Sequence, residues 1–183
     1  MRRRAELLQR TRAFFAERGV LEVETPLIAT GLVVDAHIDP IQCRPDGFPT
    51  DEPRYLLPSP EAPMKRLLAA GSGPIYQISK AFRQGERGRL HQPEFSMLEW
   101  YRPGLPYDEL MDEVGKLMQT LLGIDGWVKR THREVFRELL GVDSHTATAD
   151  ELAPLALDRG VAFSEPGPTS TRMRSRSWAD RDA

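Results

Sequence analysis

Leu7, Thr11, Phe14, Phe15 and Arg18 recur at helical spacing from Ala5 onward, and Gly19 follows where a helix ends. Val20-Leu21-Glu22-Val23-Glu24 then alternates apolar and acidic residues up to Thr25-Pro26, which predicts a strand with Leu21 and Val23 on its buried face. Residues 31–53 carry Pro40, Pro45, Gly47, Pro49 and Pro53 among short apolar pieces, a composition of turns with room for a hairpin. Residues 54–57 read as a short strand. After Ser59-Pro60-Glu61, the apolar positions Met64, Leu67 and Leu68 predict a short helix capped by Ser59 and ending near Gly71. Residues 74–83 alternate, with Tyr76, Ile78 and Phe82 on one face and Gln77, Ser79, Ala81 and Arg83 on the other. A glycine- and arginine-rich loop over 84–90 leads into a strand over 93–101, where Phe95, Met97, Glu99 and Tyr101 share a face.

Leu110, Val114, Leu117, Met118 and Leu121 mark the clearest helix, with acidic residues in its first turn and Gly123 beyond its end. Thr131 with Glu134, and Thr148 with Glu151, are capping boxes that open two short helices finishing at Gly141 and Gly160, a small paired insertion. Periodicity disappears over 164–183, where Pro, Ser, Thr and Arg dominate, so an irregular or disordered tail is expected. No repeat or linker divides residues 1–163. The order of elements predicts an α+β fold with an antiparallel sheet flanked by helices.

Charge and composition narrow the function classes without choosing one. With 25 Lys and Arg against 27 Asp and Glu, the net charge of −2 gives no general electrostatic pull toward nucleic acid. Cys43, the one cysteine, cannot form an internal disulfide or a CxxC metal site and fits a reducing compartment, so a cytoplasmic location is expected. No apolar run approaches the roughly 18–20 residues of a membrane span, and the chain does not open on a signal-peptide core.

The chemistry concentrates between Phe82 and Tyr101. Arg83, Arg87 and Arg89 offer forked donors to phosphate, His91 another donor, and Phe95 a flat apolar surface for a purine ring. Glu99 and Tyr101, on the same face as Phe95, could hold an ammonium group beside a nucleotide. Taken by periodicity alone, such a loop is more often a solvated hairpin tip than a nucleotide site, and Phe95 and Met97 are ordinary core residues. The scattered His37, His132 and His145 suggest no metal site. The Glu22/Glu24, Asp108/Glu109 and Asp112/Glu113 pairs read as exposed strand and helix faces.

A resemblance sharpens this. The segment Gly19-Val20-Leu21-Glu22-Val23-Glu24-Thr25-Pro26 resembles motif 1 of the class II aminoacyl-tRNA synthetases, and the segment from Phe82-Arg83 to Tyr101 resembles motif 2. Met64-Lys65-Arg66-Leu67-Leu68 with His91-Gln92-Pro93-Glu94-Phe95-Ser96-Met97-Leu98-Glu99 is similar to the lysyl-tRNA synthetase branch. Ser59-Pro60-Glu61 and Glu99-Trp100-Tyr101-Arg102-Pro103 resemble its paralogue family, the elongation factor P β-lysine ligases. The similarity covers residues 5–163.

The resemblance implies ATP-dependent activation of (R)-β-lysine through an adenylate, then transfer to a lysine of elongation factor P. It implies that Arg83 neutralises the α-phosphate as the catalytic residue. Phe95 stacks on adenine, and Gln84, Gly85, Glu86, His91 and Gln92 complete the ATP site. Ser59, Pro60, Glu61, Glu99 and Tyr101 form the β-lysine pocket. It further implies a homodimer through the motif 1 region. With only residues 1–19 ahead of the motif 1-like strand, no anticodon-binding barrel fits there, so tRNA is not an expected partner.

Three departures stand out. The acid usually two residues after the arginine comes one later, at Glu86, with Gly85 in its place. Gln92 replaces the usual asparagine. Nothing after Phe163 resembles motif 3 or the acidic magnesium ligands, so an incomplete fold, an inactive chain and a frameshifted or prematurely ended tail are expected. The alternatives are a lysyl-tRNA synthetase fragment, a non-enzymatic relic that pairs with a class II synthetase-like partner, and a product without a role.

Overall fold

The structure, a computed structural model, describes residues 1–31, 35, 38–47 and 52–161; His37 and the tail over 164–183 lie outside the described residues. The chain groups into two compact units that meet in sequence between Trp127 and Val128.

The first unit opens with helix α1 (Arg2–Ala16), followed by strands β1 (Leu21–Glu22), β2 (Ile28–Ala29), β3 (Ile41–Cys43) and β4 (Arg54–Leu56). Helix α2 (Glu61–Ala69), strands β5 (Ile75–Phe82) and β6 (Glu94–Tyr101), and helix α3 (Tyr107–Leu122) complete it. Two three-stranded sheets result, ordered β1-β5-β6 and β2-β4-β3. The second is antiparallel, and its β3–β4 hairpin spans much of the proline-rich stretch. The first is mixed, which corrects the expectation of a wholly antiparallel sheet: β1 runs parallel to β5 because chain and helix α2 cross over between them, while β5 and β6 are antiparallel.

β5 and β6 pair over their full lengths, from Ile75 opposite Tyr101 to Phe82 opposite Glu94. Residues directly opposite share a face, so one side carries Tyr76, Ile78, Leu98 and Trp100. That side packs against α1 and α3 through Phe14, Phe15, Val20, Leu117 and Leu121. Phe15 stacks on Tyr76 with ring centroids 4.4 Å apart and leans on Trp100. Burying one such ring contributes about 1.5–3 kcal/mol.

The Tyr76 hydroxyl donates to Glu22 at 2.9 Å, and Arg12 Nε bonds both Glu22 oxygens, tying α1, β1 and β5 together. Burial, with that hydrogen bond second, pushes the Tyr76 phenol up to about 12. The opposite side of β5 is also covered: Ile75, Gln77, Ser79 and Ala81 are buried. Glu99 and Phe95 lie on that same face, directly opposite Gln77 and Ala81.

Three expectations are corrected here. Leu21 is 59% exposed, and Val20 instead enters the core, because only two residues of β1 pair and the apolar residue before them turns inward. Pro60, not Ser59, occupies the cap position of α2, so Ser59 is freed for other contacts. Glu113 is buried rather than solvated: it accepts from Trp100 Nε1 at 3.1 Å and pairs with Arg102 at 3.2 Å. Along the same helix, Gly115 leaves the space into which the Trp127 ring packs, and any Cβ there would overlap the indole.

The second unit holds α4 (His132–Leu140) and α5 (Ala149–Asp158). Both capping boxes form as the sequence predicts, Thr131 with Glu134 and Thr148 with Glu151. Asp143 joins the turn between them, accepting from Arg133, Arg137 and the His145 backbone. No helix among the described residues is long and apolar enough to cross a membrane.

Candidate active site

The connection from β4 to α2 brings two groups of side chains beside the same sheet face. Leu57 accepts from the Phe82 backbone at 3.0 Å, and Pro58 accepts from Arg83 Nε at 3.4 Å, so the chain crosses the end of β5 just before Ser59. Residues 59–61 then run along the face shared by Phe95, Met97, Glu99 and Tyr101.

Ser59 is the junction. Its hydroxyl donates to Glu99 Oε2 at 2.9 Å and accepts from the Glu61 backbone N–H at 3.0 Å. The Tyr101 hydroxyl donates to the other Glu99 oxygen at 2.5 Å. Glu61 Oε1 lies 2.5 Å from the Lys65 ammonium, one helical turn on. Burial above all, then the hydrogen bond to Glu99 and the charges of Glu99 and Glu61, hold the Tyr101 phenol well above its ordinary value, so it stays a donor. The floor beneath is Gln77, directly opposite Glu99, buried and accepting from Thr25 Oγ1 at 3.0 Å. Pro60, fully buried, fixes the turn from which Ser59 and Glu61 project.

The second group gathers at the other end of the face. The Arg83 guanidinium lies 5.1 Å from the centroid of the Phe95 ring, within cation–π range, and 3.5 Å from Glu86 Oε1. Arg83 N–H donates to Pro93 O at 2.9 Å, which holds the loop ends together. Within the loop, Arg87 N–H donates to Gly85 O, and Gly88 and His91 exchange backbone hydrogen bonds. Gly85 has φ +76°, a conformation a side chain resists, and this turn carries Glu86 back toward Arg83. Gln84 and Gln92 are exposed, the former anchored by its backbone N–H to Asp39 O at 2.8 Å.

The structure therefore brings Arg83, Glu86 and Phe95 together at one end, and Ser59, Glu61, Glu99 and Tyr101 at the other. Phe95 and Glu99 are four residues apart on β6, about 13 Å along the strand. A cavity of about 750 Å³ lies elsewhere, lined by Thr25, Ile28, Leu57, Pro63 and Arg66 on the far side of α2. Among the described residues no group of three or more His, Cys, Asp or Glu side chains is placed to hold a metal ion.

Gln77 is a neighbour that motif reasoning passes over, and Lys65, though part of the segment over 64–68, is given no role by it. The period-two alternation of β5 already places Gln77 on the correct face. Only the i, i+4 spacing from Glu61 hints at Lys65.

Residues 1–139 match the family described as tRNA synthetases class II (D, K and N). The chain belongs to that class II family. Within reach of the same sequence are proteins named elongation factor P–(R)-β-lysine ligase. That of Pseudoalteromonas translucida is 44% identical over 164 residues, covering 88% of this chain and 51% of the relative. That of Vibrio cholerae is 44% identical over 169 residues, 91% of this chain and 52% of the relative. That of Sodalis glossinidius is 43% identical over 176 residues, 94% and 54%. The chain spans about half the length of the curated relatives it matches. For a class II family member, β5 and β6 are the strands that carry the motif 2-like segment, and all residues of both clusters fall within the family match.

Proposed function

We propose that the protein activates (R)-β-lysine with ATP and transfers it to a lysine of elongation factor P. In this reading the face of β5 and β6 supplies the amine pocket and one side of the ATP site. The observation that carries it is the placement of Glu99, held by Ser59 and Tyr101, on the same strand face as the Arg83–Phe95 pair. Its support from outside the structure is the shared name of the relatives.

The mechanism follows from that placement. Glu99 and Glu61 take the ammonium groups, with both Glu99 oxygens already oriented by hydroxyl donors. The carboxylate of the substrate then points along the strand toward Arg83. Arg83 exchanges its contact with Glu86 for the α-phosphate and stabilises charge as the carboxylate oxygen attacks phosphorus and pyrophosphate leaves. Phe95 offers its ring to adenine, while Gln84, Gly85, Glu86, His91 and Gln92 border the nucleotide. The neutral amine of the acceptor lysine then attacks the acyl carbonyl carbon of the adenylate, forming an amide as the bond to AMP breaks, AMP leaves and the nitrogen gives up a proton. The magnesium implied by the resemblance finds no donor set among the described residues, and no step here runs through it.

This chain, about half the length of its relatives, is proposed not to turn over alone. The reading places it in the cytoplasm with elongation factor P. It also includes a homodimer through the motif 1-like region, supported by exposed Leu21 on an edge strand. Sedimentation should then show a dimer that Leu21→Glu weakens.

The test joins residues 1–161 to the remaining C-terminal half of the Vibrio cholerae relative and incubates the chimera with ATP, (R)-β-lysine and elongation factor P. Mass spectrometry should show one β-lysyl addition, lost in Glu99→Gln and Arg83→Ala. Charging of tRNA with lysine, and no addition to elongation factor P, would favour the tRNA synthetase alternative.

A further inference from the structure

Lys65 belongs to the Met64-Lys65-Arg66-Leu67-Leu68 segment, yet nothing in the proposed reaction uses it. On α2 it stands one turn after Glu61 on the same side, while Ala62, Pro63, Arg66 and Leu67 line the cavity on the opposite side. Its ammonium lies 2.5 Å from Glu61 Oε1. Glu99 is held differently, by the hydroxyls of Ser59 and Tyr101, neither of which is a cation. One carboxylate of the pocket thus already carries an ammonium, and the other carries only neutral donors.

Resting on the β-lysine reading, we propose that Lys65 is a resident counter-ion of the amine pocket. It holds Glu61 while the site is empty and is displaced when the second ammonium of a diamine substrate arrives. Glu99, matched only by hydroxyls, accepts the first ammonium without competition. Glu61 Oε1 is already taken by Lys65, so a second ammonium must either share that carboxylate or displace Lys65, and the mutual repulsion of the two cations favours displacement. Displacement is easy. The side chains of Lys65 and Glu61 are 58% and 46% exposed, so the pair is weakened by solvent, and the flexible lysine stem lets its head swing into water. Lys65 is therefore a specificity-determining residue: it lowers affinity for diamines and leaves monoamines untouched.

Isothermal titration of the 183-residue chain with (R)-β-lysine, cadaverine and ε-aminocaproate tests this. The two diamines should bind Lys65→Met about fivefold more tightly than the unaltered chain. The monoamine should bind both equally, and Lys65→Arg, which keeps the charge, should behave as the unaltered chain. Selective tightening of diamines is not a result that a merely structural role for an exposed lysine produces. If (R)-β-lysine binds Lys65→Met no better, or more weakly, Lys65 is no competitor, and the inference fails while the β-lysine reading stands. If none of the proteins binds any probe, the inference fails, while the β-lysine reading is decided by the chimera assay.

Discussion

Glu113 is held from two directions in the core beneath β6, by the Trp100 indole N–H and by Arg102. Its side chain is 8% exposed and that of Arg102 18%, so removing one partner strands a charge out of water. Glu113→Ala should destabilise the first unit by about 3 kcal/mol or more in urea denaturation. A change of a few tenths would mean that the pair contributes nothing to the fold. The sequence shows Asp112 and Glu113 as an ordinary acidic stretch of helix because the partners of Glu113 come from β6, beyond the reach of helical periodicity. Lys65 is the converse case: its partner Glu61 lies one turn back on the same helix, so the spacing shows the pair but not its place beside Glu99. Glu99 is different: its position on the Phe95 face was legible from alternation, since a strand needs no long-range information to decide which side a residue occupies.

The elements whose signals are local were the most legible. Both capping boxes depend on residues three apart, and both formed where the spacing placed them. Hydrogen bonds from the Thr131 and Thr148 backbones hold the Glu134 and Glu151 carboxyls below their ordinary value of 4.5, and one from the His145 backbone holds Asp143 below its ordinary 3.8. Carboxyls depressed in the folded state stabilise it above their unfolded value, and that contribution disappears as pH falls through the folded one. The helical signal of α4 and α5, followed by residue-resolved NMR, should therefore weaken as pH drops below about 4.5, ahead of α1. Glu134→Gln with Glu151→Gln, which keeps the fold of each box but removes its titrating carboxyl, should flatten that response; an unchanged acid profile would contradict the role of the boxes. β1 was less legible. Five alternating residues suggested a regular strand, but only Leu21 and Glu22 pair with β5, so burial follows the neighbouring chain rather than the alternation.

Across the whole molecule, the class II assignment rests on a match over residues 1–139, and the chain itself on about half of each relative's length. β6 ends its sheet among the described residues. The proposed chemistry depends on a single strand face in which phosphate and amine contacts lie about 13 Å apart. A crystal structure of the chain with a non-hydrolysable β-lysyl-adenylate analogue tests that arrangement most directly. The account predicts adenine on Phe95, the phosphate mimic on Arg83, and the ammonium groups on Glu99 and on a Glu61 released from Lys65. An analogue seated in the cavity lined by Thr25, Pro63 and Arg66, with Glu99 still bonded only to Ser59 and Tyr101, would contradict it.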